Sequence, residues 1–363
     1  MNSLRTSVLK KLSPTTVGAV YVWMALIVLF SVMEPISFAN SGTAKLVLNQ
    51  YAVTALVALA LLLPLCAGLF DLSVGAVAGL SGMTCAWFLA NVSANPWAAI
   101  AFGLAMALMV GLVNSFVVLV LGVDSFIGTL AISSIVTAAV LAISGQNAIT
   151  ENVNGDFQQL FLKNIGGVTV PPILMLLAMV ALGYVMERTV FGRQAYATGF
   201  DREVARMGGV PVDRIRMVTF LVSALLAGLA GICATALIGA GDFSVGPNYL
   251  LPAFAAAFLG ATQFRGGRFN PWGTVVATLL LGTAGVGLLV AGAPVWAPAV
   301  FDGALLIVAV ALTSSRGSAP LAALLARLRR SDSGGTAAGQ ASLATQRSPS
   351  ADQDEPVMSA PTR

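Results

Sequence analysis

The chain has 363 residues, of which 57% are hydrophobic and only 9% are charged. Soluble globular domains contain about 25% charged residues, and the mean hydropathy of this chain is +0.88. The composition therefore excludes a soluble domain and indicates an integral membrane protein. We attribute the net charge of +4 to the membrane topology, because lysine and arginine are retained in cytoplasmic loops. We therefore expect no binding of nucleic acid.

The apolar runs are about twenty residues long, which matches helices crossing a hydrocarbon core of roughly 30 Å. None of them alternates with the period of two that barrel strands require. The fold class is therefore all-α, a polytopic membrane protein with about ten transmembrane helices. We place these spans at 17–33, 46–69, 73–92, 96–121, 126–144, 171–186, 217–238, 249–263, 272–292 and 296–313.

The distribution of basic residues predicts which ends of the spans face the cytoplasm, because short cytoplasmic loops retain Lys and Arg. With both termini cytoplasmic, only Lys45 and Lys163 of the 19 basic residues lie outside. Residues 1–16 then form a cytoplasmic N-terminus, 17–313 the transmembrane domain, and 145–170 an external loop. The segment 314–363 is rich in small and polar residues, so we expect a largely disordered cytoplasmic tail.

The residue types disfavour a metal or cofactor site. The chain has no histidine, the commonest metal-binding side chain. Its three cysteines, Cys66, Cys85 and Cys233, lie within or beside spans, where a free thiol behaves as a small apolar group. We expect no disulfide, no metal and no cofactor.

One cytoplasmic segment, 187–216, is strongly polar in an otherwise apolar chain, and we call it the charged segment. Asp201 predicts a helix N-cap, 202–207 a short helix, Gly208 and Gly209 its end, and Pro211 prevents continuation. An ordinary cytoplasmic loop explains the arginines but not this order of cap, stop and proline. We therefore predict a docking helix that exposes Arg202, Glu203 and Arg206 beside an apolar patch of Val204, Ala205 and Met207.

A near repeat, DLSVG at 71–75 and DFSVG at 242–246, follows two long apolar segments. The predicted topology places the first copy inside and the second outside, as inverted halves of a transporter would. Chance similarity is the competing interpretation. Each aspartate is also a candidate N-cap, which is the favoured interpretation for Asp71 and for Asp124.

Four stretches in order resemble the permease subunits of bacterial ABC importers for monosaccharides of the ribose, xylose and arabinose type. They are the charged segment, GLFDLSVGAVAGLSG at 68–82, AFLGATQFRGGRFNPWGT at 257–274 and VWAPAVFDGALLIVAVAL at 295–312. The resemblance covers about 46–313. It marks Asp71, Ser73, Gly75, Gly266 and Gly267 as structural motif residues. The chain departs from the family pattern at Phe200, where a second glycine is usual, and at Ala261.

The resemblance implies a transport subunit of the bacterial inner membrane that has no ATPase activity. The sequence agrees, because it contains no GxxxxGK[ST] phosphate loop. The implied partners are cytoplasmic ABC ATPase subunits, a periplasmic sugar-binding protein and a second permease copy. The residues implied to couple with the ATPase are Asp201, Arg202, Glu203, Ala205, Arg206, Gly208 and Gly209.

A sugar path needs hydrogen-bonding groups or aromatic faces, and few such side chains occur in or near the spans. The competing role for each of them is hydrogen bonding between helices. The candidates for the translocation path are Asn49, Gln50, Asn114, Ser125, Phe126 and Thr129.

Two other classes of function are considered. An ion- or proton-coupled secondary carrier of a small polar solute needs carboxylates within the bilayer, and only Asp302 and Glu34 are available, both near span ends. An intramembrane transferase needs clustered acids, whereas the external loop offers only Glu151 and Asp156. Both classes are disfavoured.

Overall fold

The computed structural model describes residues 14–264 and 267–314, and this part of the chain is almost entirely helical. The N-terminal residues 1–13, the tail 315–363 and the expectations that concern them lie outside the described residues. The helices are α1 (Pro14–Met33), α2 (Ser41–Cys66), α3 (Val74–Asn91), α4 (Pro96–Ser115, continued by a π-helical turn Phe116–Val120), α5 (Ser125–Ser144), α6 (Gln158–Leu162), α7 (Val170–Arg188), α8 (Val190–Phe200), α9 (Arg202–Met207), α10 (Val212–Ile238), α11 (Val245–Ala261), α12 (Pro271–Val290) and α13 (Ala297–Ser314).

Among the described residues, 7 helices are long and apolar enough to cross a membrane, namely α2, α3, α4 with its π turn, α5, α7, α10 and α12. Three shorter apolar helices lie within α1, α11 and α13. An all-α polytopic membrane protein is therefore confirmed. Each predicted span coincides with one of these helices, and most ends differ by a few residues, because hydropathy does not locate caps.

Local sequence signals explain where several helices begin. The side chain of Asn95 accepts hydrogen bonds from the amides of Trp97 and Ala98, and Pro96 occupies the first position of α4. Asn270 and Pro271 begin α12 in the same way. Asp124 accepts from the amides of Phe126 and Ile127, which confirms its predicted role as the N-cap of α5. A proline at the first helical position costs nothing, because that amide has no partner within the helix.

The centre of the bundle is α10, which packs against α2, α3 and α4. Small residues permit this close packing, since a Cβ added at Gly231 would lie 2.6 Å from the carbonyl carbon of Ala78 in α3. In a lipid environment such close contacts between backbones stabilise helix association. The three cysteines are free and buried in this bundle, as expected.

The loop 145–170, for which an external position is predicted, is a packed structure rather than an open loop. The backbone of Ile149 exchanges hydrogen bonds with Gly241. The side-chain amide of Asn152 donates to the carbonyl of Leu89 at 3.0 Å, and the side-chain amide of Gln158 donates to the carbonyl of Ala236 at 3.1 Å. Phe157, just before α6, is buried, and its ring centroid lies 5.3 Å from that of Phe161 in this helix. The loop therefore covers the ends of α3 and α10.

The two copies of the repeat lie side by side, which corrects the prediction that they lie on opposite sides of the membrane. A Cβ at Gly75 would lie 2.7 Å from the carbonyl oxygen of Gly246, and Gly79 also faces Gly246. Segments in direct contact cannot lie on opposite surfaces of a core that is about 30 Å thick. Because Gly75 also faces Leu250, the helices α3 and α11 start beside each other and run in opposite directions.

Candidate functional site: the charged segment and the 67–73 turn

The charged segment folds as two consecutive short helices, α8 and α9, between α7 and α10. The carboxylate of Asp201 accepts from the amides of Glu203 and Val204, both at 3.0 Å, which confirms the predicted N-cap. Helix α9 spans Arg202–Met207 as predicted, and Gly209, with φ +79°, ends it. The preceding helix α8 was not predicted, because only its cap residue Thr189 and its weak apolar pattern mark it.

The exposed surface of this segment is partly apolar. Val204 is 58% exposed and Met207 80%, and they lie three residues apart on one face of α9. Phe200, at the end of α8, is 94% exposed. Ala205 is buried and faces the protein, so its predicted place in the exposed patch is wrong. The reason is that a helix of six residues, packed on one side, turns its fourth position inward.

Ion pairs fix α9 to the start of α10. Arg202 and Arg206 contact the carboxylate of Asp213 at 3.4 and 3.2 Å, and Arg206 also lies 3.7 Å from Glu203. All of these side chains are at least partly exposed, and such pairs are each worth only about 0.2–1 kcal/mol. They therefore orient α9 on α10 rather than stabilise the fold.

A cavity of about 790 Å³ separates the charged segment from the loop that precedes α12. Arg268 of this loop lies over the ring of Tyr196 in α8, 5.8 Å from its centroid, and the Tyr196 hydroxyl donates to the carbonyl of Phe269. Gly267 has φ +101°, a backbone conformation that favours glycine. Gly266, its predicted partner in the motif, lies outside the described residues.

The side chain of Asn270 holds this loop in shape. Its amide donates to the carbonyls of Gly260, Gln263 and Arg268, at 3.0–3.1 Å, while its oxygen accepts from the amide of Gly273 at 2.7 Å. Nothing in the sequence distinguishes this asparagine except the following proline, and it was not predicted as a site residue.

Most of the polar residues predicted for the path lie around one turn, 67–73, between α2 and α3. The amide of Phe70 donates to the hydroxyl of Ser125 at 3.2 Å, and the amide of Leu72 donates to that of Thr129 at 3.0 Å. The side-chain amide of Asn114 donates to the hydroxyl of Ser73 at 2.7 Å. The structure therefore brings Asn114, Ser125 and Thr129 together, all of them buried.

Asp71 lies at the centre of this turn and is only 1% exposed. One carboxylate oxygen accepts from the amide and the hydroxyl of Ser73, at 3.1 and 2.6 Å, and the other accepts from the hydroxyl of Ser223 at 2.9 Å. The N-cap of α3 is Ser73, so the predicted role of Asp71 as the N-cap is wrong, because Asp71 lies two residues before the observed cap. Ser223, in the middle of α10, carries no sequence signal and was not predicted.

The remaining predicted path residues are more dispersed. Phe126 is 49% exposed and forms an edge-on pair with Phe70, with ring centroids 6.3 Å apart. Asn49 accepts a hydrogen bond from Thr169, and Gln50 is exposed at the same level of α2. Residues 49 and 50 are thus separate from the 67–73 turn. Among the described residues no group of His, Cys, Asp and Glu could hold a metal ion.

Comparison with known proteins identifies the class of this chain. Residues 44–310 match the family model described as the permease component of a branched-chain amino acid transport system. The chain belongs to this permease family. It is 31% identical to the D-allose transport system permease protein of Escherichia coli K12, over 81% of this chain and 90% of that protein. It is 30% identical to the ribose import permease protein of Bacillus subtilis 168, over 81% of this chain and 91% of that protein. The fructose import permease protein of Rhizobium meliloti is 30% identical, over 83% and 85%. No solved structure gives a significant match.

Membership of this family fixes the type of activity. The chain is a transport subunit and not an ATPase, and hydrolysis of ATP belongs to a separate subunit. A secondary carrier is not favoured, because the similar proteins are components of multi-subunit import systems.

Proposed function

We propose that this chain carries a monosaccharide across a bacterial inner membrane as the permease of an ABC importer. The similar proteins transport D-allose, ribose, fructose and L-arabinose. The observation that carries the proposal is the capped helix α9, which exposes apolar side chains at the end of a segment pinned to α10. A permease that is driven by ATP hydrolysis in another subunit needs a surface on which that subunit can act.

The surface formed by Phe200, Val204 and Met207 fits an apolar socket on the ATPase subunit. Large apolar side chains that are mostly exposed next to charged ones mark protein–protein contact sites. The ion-paired side chains of Arg202, Glu203, Arg206 and Asp213 would form the polar rim of this contact. Gly208 and Gly209 end α9, so that the helix projects as one rigid unit.

The sidedness of the chain follows from this docking. The charged segment, both termini and the tail would lie in the cytoplasm, in agreement with the distribution of lysine and arginine. The packed loop 145–170 would then face the periplasm and receive the sugar-binding protein. Two copies of the chain would line one path.

The three shorter apolar helices complete a set of about ten spans. A helix of 17 residues such as α11 is about 26 Å long, which is shorter than a core of about 30 Å, so it would begin or end inside the core. The contact between Gly75 and Gly246 favours this arrangement, because both α3 and α11 begin at a buried glycine. Helices that begin within the membrane in corresponding positions of two halves are typical of inverted repeats in transporters.

Among the residues predicted for the translocation path, the exposed ones would contact the sugar directly. Phe126 offers an aromatic face and Gln50 an exposed amide. Asn114, Ser125 and Thr129 would act indirectly, because their polar groups are used to hold the 67–73 turn. Asn49 would orient the external end of α2 through Thr169.

The test is reconstitution of the chain in proteoliposomes with an ABC ATPase subunit and a sugar-binding protein. We expect uptake of a labelled monosaccharide, from a panel of D-ribose, D-allose, D-fructose and L-arabinose. Uptake should require ATP and should persist in the presence of a protonophore, because no proton gradient is used. Uptake without the ATPase subunit, or its loss with the protonophore at constant ATP, would contradict the proposed function.

A further inference from the structure

The end of α8, in the middle of the charged segment, touches the beginning of the 67–73 turn. A Cβ added at Gly199, near the end of α8, would lie 2.9 Å from both the carbonyl carbon of Cys66 and the amide nitrogen of Gly68, and closer still to the carbonyl oxygen of Cys66. A Cβ added at Gly68 would lie 3.2 Å from the Cα of Gly199. The two backbones are therefore in direct contact, with no room for a side chain between them.

The first part of the turn is a rigid helix end. Gly68 has φ +72°, its amide donates to Leu65, and the amide of Leu69 donates to Pro64, at 3.2 and 2.9 Å. This pair of hydrogen bonds is the Schellman arrangement, which closes a helix with a left-handed glycine. The next residue, Leu69, is buried in a small cluster with Val118 and Phe220. A displacement of Gly199 would therefore move the turn as a unit.

The second part of the turn is held by three other helices. Ser125 and Thr129 of α5 accept from its backbone, Asn114 of α4 donates to Ser73, and Ser223 of α10 donates to Asp71. Among the described residues no lysine or arginine forms a salt bridge with Asp71. A buried carboxylate without a cation is costly, so an apolar residue would serve better if Asp71 only filled space.

The charged segment reaches the same turn by a second route, through α10. Asp213, in the first turn of α10, accepts the ion pairs from Arg202 and Arg206 of α9. Ser223 lies ten residues further along this helix, about 15 Å away at 1.5 Å per residue. The charged segment is thus joined to the 67–73 turn by contact at Gly199 and by α10, in which Ser223 donates to Asp71.

We propose that the 67–73 turn is the link through which the charged segment moves the intramembrane start of α3, and that Asp71 is its positioning residue. The proposal rests on the proposed function. The link also places Phe70, which is 41% exposed and paired with Phe126, so a shift of the turn repositions an aromatic pair on the surface of the chain. The start of α3 carries Gly75, so α11 would follow through Gly246.

One buried group in this network lacks a hydrogen-bond partner, which would favour a second arrangement of the turn. The side-chain oxygen of Asn114 has no hydrogen-bond partner, although its amide donates to Ser73. The orientation of this amide is fixed, because Ser73 donates its own hydroxyl proton to Asp71. A buried acceptor without a partner costs free energy, and a shift of the turn that supplies a donor would recover it. Such a bistable element is what a transport cycle needs.

The experiment compares two serine variants in the reconstituted complex with its ATPase and binding protein. Ser223→Ala removes the donor to Asp71, whereas Ser115→Ala removes a buried hydroxyl that donates only within its own helix, to Gly111. The measured quantity is the number of sugar molecules imported per ATP hydrolysed. We expect Ser223→Ala to lower this ratio at least about fivefold, the lower end of an allosteric coupling, with yield and basal hydrolysis retained. Ser115→Ala should keep the wild-type ratio.

A second variant, Asp71→Asn, separates geometry from charge. Its amide oxygen can accept from Ser73 and its amide nitrogen can donate to Ser223, so it should retain more of the ratio than Asp71→Ala. A wild-type ratio in Ser223→Ala, or a parallel fall of yield, basal hydrolysis and uptake, would overturn the link. If the wild-type complex imports no sugar with ATP, the proposed function fails instead, so the two failures are distinguishable.

Discussion

At the scale of single residues, glycines decide where the helices of this bundle can touch. Gly75 and Gly246 face each other across α3 and α11, and Gly231 faces Ala78 across α10 and α3. A stripe of small residues in the sequence predicts close packing, but it does not say which stripe meets which. That pairing is a property of tertiary structure, and it overturned the expectation that 71–75 and 242–246 lie on opposite sides.

The contact between the two repeats predicts the effect of a single methyl group. Gly246→Ala would place a Cβ 2.6 Å from the carbonyl oxygen of Gly75, so the helices must separate. We expect the free energy of unfolding to fall by about 1–3 kcal/mol, as for other overpacked sites. Gly303→Ala in α13 is the control, because nothing lies within 4 Å of its added Cβ.

Thermal unfolding of the two variants in detergent checks this prediction. Gly246→Ala should melt several degrees below the wild type and Gly303→Ala at or above it. Equal melting temperatures for the two variants would show that α3 and α11 do not meet at this glycine.

At the scale of elements, the short helix α9 was predicted residue by residue, because its signals are local. Asp201 as the cap, 202–207 as the helix and Gly208 and Gly209 as the stop all appear in the structure. Its orientation was only partly predicted, since Ala205 is buried and Phe200 is exposed. Six residues have too little periodicity to show which face packs on the protein.

The cap of α9 gives a prediction at this scale. Asp201→Asn keeps a side chain that caps as well as aspartate does, whereas Asp201→Leu leaves the amides of Glu203 and Val204 without their partner. Loss of a cap costs about 1 kcal/mol, so the affinity for the ATPase subunit should fall roughly fivefold in the leucine variant.

Equilibrium binding of the detergent-solubilised variants to the labelled ATPase subunit measures this difference. The asparagine variant should bind like the wild type. Equal affinities for Asp201→Asn and Asp201→Leu would mean that the helical state of α9 is not what the partner recognises.

At the scale of the whole molecule, hydropathy predicted the fold class and each apolar helix, because lipid requires long apolar segments with internal hydrogen bonds. The site was predicted less completely. Asn114, Ser125 and Thr129 were recognised as polar residues in an apolar setting, but their common target, the 67–73 turn, was not. Ser223 and Asn270 were missed, since a lone serine or asparagine has no pattern that distinguishes it.

The contacts of single residues, the position of α9 and the packing of the bundle all support one route for force through the permease. In the proposed mechanism the charged segment would receive force at α9 and would transmit it to the interior through Gly199 and α10. The sequence contains no phosphate loop, and ATP hydrolysis belongs to a separate subunit, so the proposed mechanism needs a surface on which that subunit acts.

The most direct test of this account is the rate of ATP hydrolysis by the assembled complex, stimulated by the sugar-loaded binding protein. Met207→Glu places a charge on the exposed apolar surface of α9, whereas Met207→Leu keeps that surface apolar. We expect the stimulated rate of the glutamate variant to be at least about tenfold lower than that of the wild type, equivalent to roughly 1.4 kcal/mol. The leucine variant should retain the wild-type rate. Wild-type stimulation in Met207→Glu would contradict the claim that the ATPase drives the permease through this helix.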